Sequence, residues 1–131
     1  MSNPFHLSFV VSDLEASKKF YTEVLGCPIG RDQGSWIDIL FFGHQITIHK
    51  ESEILEARSI DHFGPILSKN EWKEISDKCE DNEINFVLPP TVKNSGTENE
   101  SGKYLIKDPG GNLLEFKYYG TSAHPMVQGH A

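Results

Sequence analysis

Three side chains of metal-ligand type stand at related places in this 131-residue chain: His6, His62 and Glu115. Two imidazoles and one carboxylate around a divalent ion leave coordination positions open. That is the pattern of non-haem Fe(II) oxygenases, and zinc with a bound water accepts the same donors. Open positions let a small molecule and dioxygen reach the ion directly. The relation among the three residues lies in their spacing. His6 precedes Ser12 by six residues and His62 precedes Ser68 by six, and each serine begins a Ser-x-x-Glu, with Glu15 and Glu71 respectively. Gly43 precedes Thr47 by four, and Gly111 precedes Glu115 by four. An internal repeat of this kind pairs His6 with His62 and Thr47 with Glu115. A carboxylate flanked by Leu113, Leu114 and Phe116 is costly to bury unpaired, which favours a partnered role for Glu115 over a solvated one. His62 lies 56 residues after His6 and Glu115 lies 68 after Thr47, so one insertion of 12 residues accounts for the shift, and it falls in the polar run 91–102.

The elements that must position these residues read as βαβββ, twice. Residues 5–11 (FHLSFVV) are β-branched and aromatic, a strand signature. Ser12 and Glu15 form a capping box that opens a helix, with Leu14, Ser17, Phe20, Tyr21, Val24 and Leu25 at helical spacing. Gly26 stands at the C-cap place and Pro28 stops continuation. Ile29–Asp32 and Trp36–Phe42 read as strands, and Gly43-His44 turns into a third, Gln45–His49. In the second half, 62–67 (HFGPIL) reads as a strand whose Pro65 marks an edge or a start. Ser68 and Glu71 open a helix that places Trp72, Ile75 and Cys79 on one face. Asn85–Leu88 reads as a strand ended by Pro89-Pro90, and 91–102 as a mobile loop. Strands Lys103–Lys107 and Asn112–Tyr118 flank an Asp-Pro-Gly-Gly turn at 108–111.

The expected architecture is α+β: one domain over 1–120, built of module one (4–55) and module two (58–120), followed by a flexible tail, 121–131. Packed about a pseudo-twofold axis, the modules bring His6, Thr47, His62 and Glu115 to a shared cavity.

Composition bounds the partners. Hydrophobic residues make up 37% and charged residues 24%, the balance of a soluble globule, and the net charge of −7 argues against nucleic acid. The longest apolar run, Trp36–Phe42, is too short to span a bilayer and contains Asp38. No basic-then-apolar leader opens the chain, so the expectation is a cytoplasmic protein with Cys27 and Cys79 as free, structural thiols.

The segments FHLSFVVSDLEASKKFYTEVLG (5–26), WIDILFFGHQITIHK (36–50), DHFGPIL (61–67) and KDPGGNLLEFK (107–117) resemble the vicinal oxygen chelate superfamily, the group of glyoxalase I, bleomycin-resistance proteins and type I extradiol dioxygenases. The resemblance implies paired βαβββ modules in a cupped mixed sheet around a metal cavity, a homodimer, and His6, His62 and Glu115 as metal ligands. Glyoxalases of this group use four protein ligands, and here the fourth place is Thr47, a poor ligand. Three ligands are similar to the extradiol dioxygenases, which implies Fe(II), with Mn, Zn, Ni or Co as other occupants. Those enzymes use a second-sphere histidine on the last strand of the first half. His49 matches it, since it shares strand parity with Thr47. A catechol-type substrate then chelates through two vicinal oxygens, and His49 shuttles a proton.

One departure concerns the tyrosine that the family often places ten residues before the glutamate. Leu105 stands there, and Tyr104 beside it points to the other face. Lys103 shares parity with Leu105 and is a candidate for an anionic substrate group. Thr47, Lys103 and Leu105 are therefore the candidate pocket residues. Trp36, Phe42, Phe63 and Phe116 are aromatics for an apolar lining or for the core. Two other functions compete: a lyase, isomerase or thiol transferase using Zn, Mn, Ni or Co, and a metal-free drug-binding module.

Overall fold

The computed structural model describes residues 4–50 and 62–121. By its contacts the chain divides into two compact units. The first takes Met1–Ile60 with Asp108–Asn112, and the second takes Asp61–Lys107 with Leu113–Ala131. The acidic stretch 51–56, the boundary between the modules, and all of the tail but Thr121 lie outside the described residues.

In the first unit, β1 (His6–Val11), β2 (Ile29–Asp32), β3 (Trp36–Phe41) and β4 (His44–Lys50) form one sheet in the order β1-β4-β3-β2. β1 runs parallel to β4, and β3 antiparallel to it. Alternation sorts the side chains into two faces. Phe9, Val11, Ile37, Ile39, Phe41, Ile46 and Ile48 are buried on the core face. His6, Ser8, Trp36, Asp38, Gln45, Thr47 and His49 share the other.

The helix that supports this sheet starts one residue later than expected. Asp13, not Ser12, is the N-cap of α1 (Leu14–Lys19), and its carboxylate accepts from the Ala16 N–H. Asp outcompetes its neighbour because a charged acceptor also meets the helix dipole. The helix then widens into a π turn, Phe20–Val24, where the Leu25 N–H donates to the Phe20 carbonyl. Gly26 ends it at φ 75°, the left-handed cap expected there. Tyr21 is fully buried, and its hydroxyl donates to Asp108 at 2.8 Å. Burial and Asp108 together push the Tyr21 phenol well above its ordinary pKa.

The second unit repeats the topology. β5 (Phe86–Lys93), β6 (Ser101–Lys107) and β7 (Leu113–Tyr119) form a sheet in that order. Residues 62–67 lie beside β7 but are not a continuous strand: only Phe63 bridges Leu114 and Ile66 bridges Lys117, both parallel. Pro65 removes one donor from this segment. Its register nevertheless repeats β1 on β4: Leu7 opposes Ile46 as Phe63 opposes Leu114, and Val10 opposes His49 as Ile66 opposes Lys117. These pairs sit at the two offsets read from the sequence, so the chain folds as two βαβββ modules.

Ser68 caps α2 (Lys69–Asp81) by accepting from the Glu71 N–H, as its capping box implies. Trp72, Ile75 and Cys79 are buried. The Trp72 indole donates to the Phe116 carbonyl at 2.9 Å, and the Tyr104 hydroxyl donates to the Trp72 carbonyl at 2.9 Å. Each large apolar side chain buried this way contributes roughly 1.5–3 kcal/mol. Phe116 stacks on Tyr104 in this core, so it belongs to the core and not to the opposite, candidate-site face.

Two further expectations change in this unit. The strand expected to stop at Pro89-Pro90 continues to Lys93, with register shifts on either side of Leu88. β5 is the outer strand of its sheet, where a proline's missing donor costs no ladder bond. The expected loop 91–102 shrinks to 94–100 and is tied by Glu100. That side chain accepts from the Gly96 N–H, pairs with Lys69 at 2.7 Å and accepts from the Tyr118 hydroxyl. Cys27 and Cys79 are free and buried, and burial pushes the Cys79 thiol up to about 11. Among the described residues no helix is long and apolar enough to cross a membrane.

Candidate metal centre

His6 opens β1, opposite Gln45 on β4. Its Nδ1 lies 2.9 Å from Gln45 Oε1. That oxygen only accepts, so the contact needs a proton on Nδ1, and in the neutral ring this tautomer leaves the Nε2 lone pair for a metal. Gln45 is anchored in turn by a side-chain hydrogen bond to Asp38. Asp38 is 4% exposed and accepts from Thr47 Oγ1 at 2.8 Å and from Arg31 Nε at 2.6 Å. Burial works to raise its pKa, but Arg31 and the donors from Thr47 and Gln45 outweigh burial and hold it below the ordinary carboxylate range. The result is a chain of fixed polarity from Arg31 through Asp38 and Gln45 to His6. Thr47, at the fourth repeat position, is buried with its hydroxyl committed to Asp38. His49 sits further along the same face, its ring 6.2 Å from Trp36, which lies under Arg31.

Glu115 stands mid-strand on β7. Its backbone N–H donates to the Phe63 carbonyl at 2.8 Å, which fastens the 62–67 segment beside it. His62 Nε2 lies 3.6 Å from Glu115 Oε1. Two donors each about 2.1 Å from one ion stand roughly 3.0–3.5 Å apart, so this pair fits shared coordination closely. Leu105 is directly opposite Glu115, and Lys103 directly opposite Lys117. Tyr104 faces the core, as its parity requires.

The structure thus joins His62 to Glu115 in one unit and orients His6 through Gln45 in the other. Among the described residues no group of three His, Cys, Asp or Glu side chains is placed to share an ion. The donor types present, two imidazoles and a carboxylate, suit a divalent transition ion. Sequence reasoning missed Asp38, Gln45 and Arg31. The signal was an aspartate inside an apolar strand, in parity with Thr47, where burial demands partners.

Residues 4–116 match the Glyoxalase/Bleomycin resistance protein/Dioxygenase superfamily. The chain belongs to that superfamily. Among solved members of this fold, a glyoxalase/bleomycin resistance protein/dioxygenase from Alicyclobacillus acidocaldarius is 29% identical, with a TM-score of 0.74 over 89% of this chain and 91% of that one. A lactoylglutathione lyase from Agrobacterium tumefaciens is 20% identical, with a TM-score of 0.66 over 90% and 94%. The genomically encoded fosfomycin resistance protein FosX from Listeria monocytogenes is 18% identical, with a TM-score of 0.70 over 94% and 98%. At these identities the last two establish likeness of fold alone. Members of the glyoxalase/dioxygenase superfamily are often divalent-metal enzymes, and the donor set of this chain agrees with that.

Proposed function

We propose that this superfamily member is a dioxygenase-like metalloenzyme, with His6, His62 and Glu115 holding a divalent ion, Fe(II), that activates a catechol-type molecule and dioxygen. The observation that carries the reading is the pairing of His62 with Glu115 at 3.6 Å. The engagement of Thr47 with Asp38 supports three protein ligands over four. Bound there, Fe(II) supplies Lewis acidity, electrons for dioxygen and open positions for a bidentate ligand. The residues of the chain do the rest. Gln45 keeps His6 in the tautomer that presents Nε2. His49 gives and takes the proton of the substrate hydroxyl, a task suited to imidazole. Thr47 and Leu105 shape the pocket, and Lys103 offers a charge to the substrate.

Leu105 opposite Glu115 favours a second reading, in which no phenol assists ring opening. The enzyme is then a lyase, isomerase or thiol transferase using Zn, Mn, Ni or Co, a lyase being the activity named for the Agrobacterium protein. Either enzyme fits a cytoplasmic homodimer, a compartment where buried thiols such as Cys27 and Cys79 stay reduced.

Anaerobic Fe(II) reconstitution followed by a catechol panel, read by oxygen uptake, tests the first reading. Uptake with at least one catechol is the expected result. Its absence across the panel in iron-loaded protein moves the assignment to the second. His62→Ala should lose the metal, measured by mass spectrometry of the untagged protein, and full occupancy in that variant would falsify the ligand set.

A further inference from the structure

We propose that the second unit carries an oxyanion subsite built by Lys93, Lys103 and Lys117, which holds a carboxylate or phosphoryl group of the substrate. As a substrate subsite it rests on the enzymatic reading above. As an anion site it stands on the sheet itself.

Two adjacent rows cross β5, β6 and β7 on one face. The first is Thr91, Lys103, Lys117, and the second is Lys93, Ser101, Tyr119. Together with Gly102 these residues line a cleft of about 90 Å³. That is the space of about three waters, room for one carboxylate or phosphoryl group. Three lysines therefore line one small cleft in a chain of net charge −7. Like charges directly opposite one another on neighbouring strands are destabilising, and Lys103 and Lys117 are such a pair. A bound anion removes that repulsion.

The carboxylates of the chain do not do so fully. Lys117 Nζ has Glu115 Oε1 at 3.9 Å. Among the described residues no ion pair involves Lys93 or Lys103. Lysines that guard a sheet edge against aggregation belong on outer strands. That accounts for Lys93 on β5 but not for Lys103 on β6, the central strand. The Lys117 ammonium also lies 5.1 Å from the Tyr119 ring centroid, which fixes its direction. Because strand residues two apart share a face and stand about 7 Å apart, the Lys117 row is one step from Glu115. An oxyanion held by the lysines leaves the rest of a small molecule pointing along β7 toward that carboxylate. The substrate class implied is a small acid whose anionic group is separate from the oxygens presented for activation.

Calorimetric titration of the purified protein with inorganic phosphate, and separately with acetate, tests the subsite. At least one should bind saturably, and the tighter of the two identifies the group as phosphoryl or carboxylate. Lys103→Met and Lys93→Met should each weaken that binding tenfold or more, while Lys73→Met, an equal charge change at an exposed position of α2, should leave it unchanged. Absence of saturable binding for both anions, or equal weakening by Lys73→Met, overturns the proposal. Metal content is read on the same samples. A failed titration with metal in place removes the subsite alone, and phosphate binding by protein that cannot hold metal removes the metalloenzyme reading alone.

Discussion

At the scale of single residues, the order of the candidate site rests on side chains that are not themselves proposed ligands. Gln45 connects His6 to Asp38, and Asp38 gathers Arg31, Thr47 and Gln45 in a buried cluster. Groups that orient a ligand histidine commonly tune metal affinity by about 10–100-fold. Gln45→Leu should therefore weaken metal binding by about that factor while leaving the thermal unfolding midpoint close to that of the parent, as read by competition with a chromophoric chelator. An unchanged affinity would mean that His6 needs no support, or is no ligand. His62 and Glu115 were legible from the sequence because the repeat put ligand types at equivalent places. Asp38 was visible too, as a charge inside an apolar run, but its partners were not. Arg31 and Gln45 sit on other strands, and only the registers of β2, β3 and β4 show that they reach one carboxylate.

At the scale of elements, the second module departs from the first where its composition does. Residues 62–67 keep the register of β1 but lack its continuous ladder, and Gly64 shows how closely they approach β7. A Cβ at Gly64 would fall onto the Glu115 carbonyl oxygen. Gly64→Ala must push the segment away from the strand that carries Glu115. Overpacking of this kind costs roughly 1–3 kcal/mol. The variant should show that loss in urea unfolding together with reduced metal retention, since His62 moves with the segment. Loss of stability with metal affinity intact would separate His62 from the site. In the sequence the glycine passed as one residue of the expected strand 62–67. Its true constraint is a backbone contact between residues 51 positions apart, which no local pattern encodes. The π turn at Phe20–Val24 escaped for a related reason: apolar residues at 20, 21, 24 and 25 satisfy helical spacing whether the turn closes at four residues or five. β5 passed through two prolines because sheet position, which the sequence does not state, decides whether a missing donor matters.

At the scale of the whole molecule, the question is what an acidic chain loses as the pH falls. Glu100 shows it most clearly. It sits in the insertion that distinguishes the second module, a polar run that reads from sequence as a mobile loop because its residues are those of loops. The fold draws Glu100 back against Gly96, Lys69 and Tyr118, and these hold its carboxyl at about 2 against an ordinary 4.5. A carboxyl whose pKa is lowered in the native state contributes stability fully present above the unfolded value, and that contribution disappears as protonation reaches the folded value. For Glu100 the window runs from pH 4.5 down to about 2, and Asp38, lowered by Arg31 and its hydroxyl and amide donors, acts in the same direction. Glu100→Gln should therefore be less stable than the parent at pH 7, and the gap should narrow as urea unfolding is repeated at successively lower pH through that window. A gap that stays constant would mean that the loop is tied by the shape of the side chain and not by its charge. The polar insertion would then be held by hydrogen bonds that a neutral amide makes equally well, and acid lability would have to come from the Asp38 cluster instead.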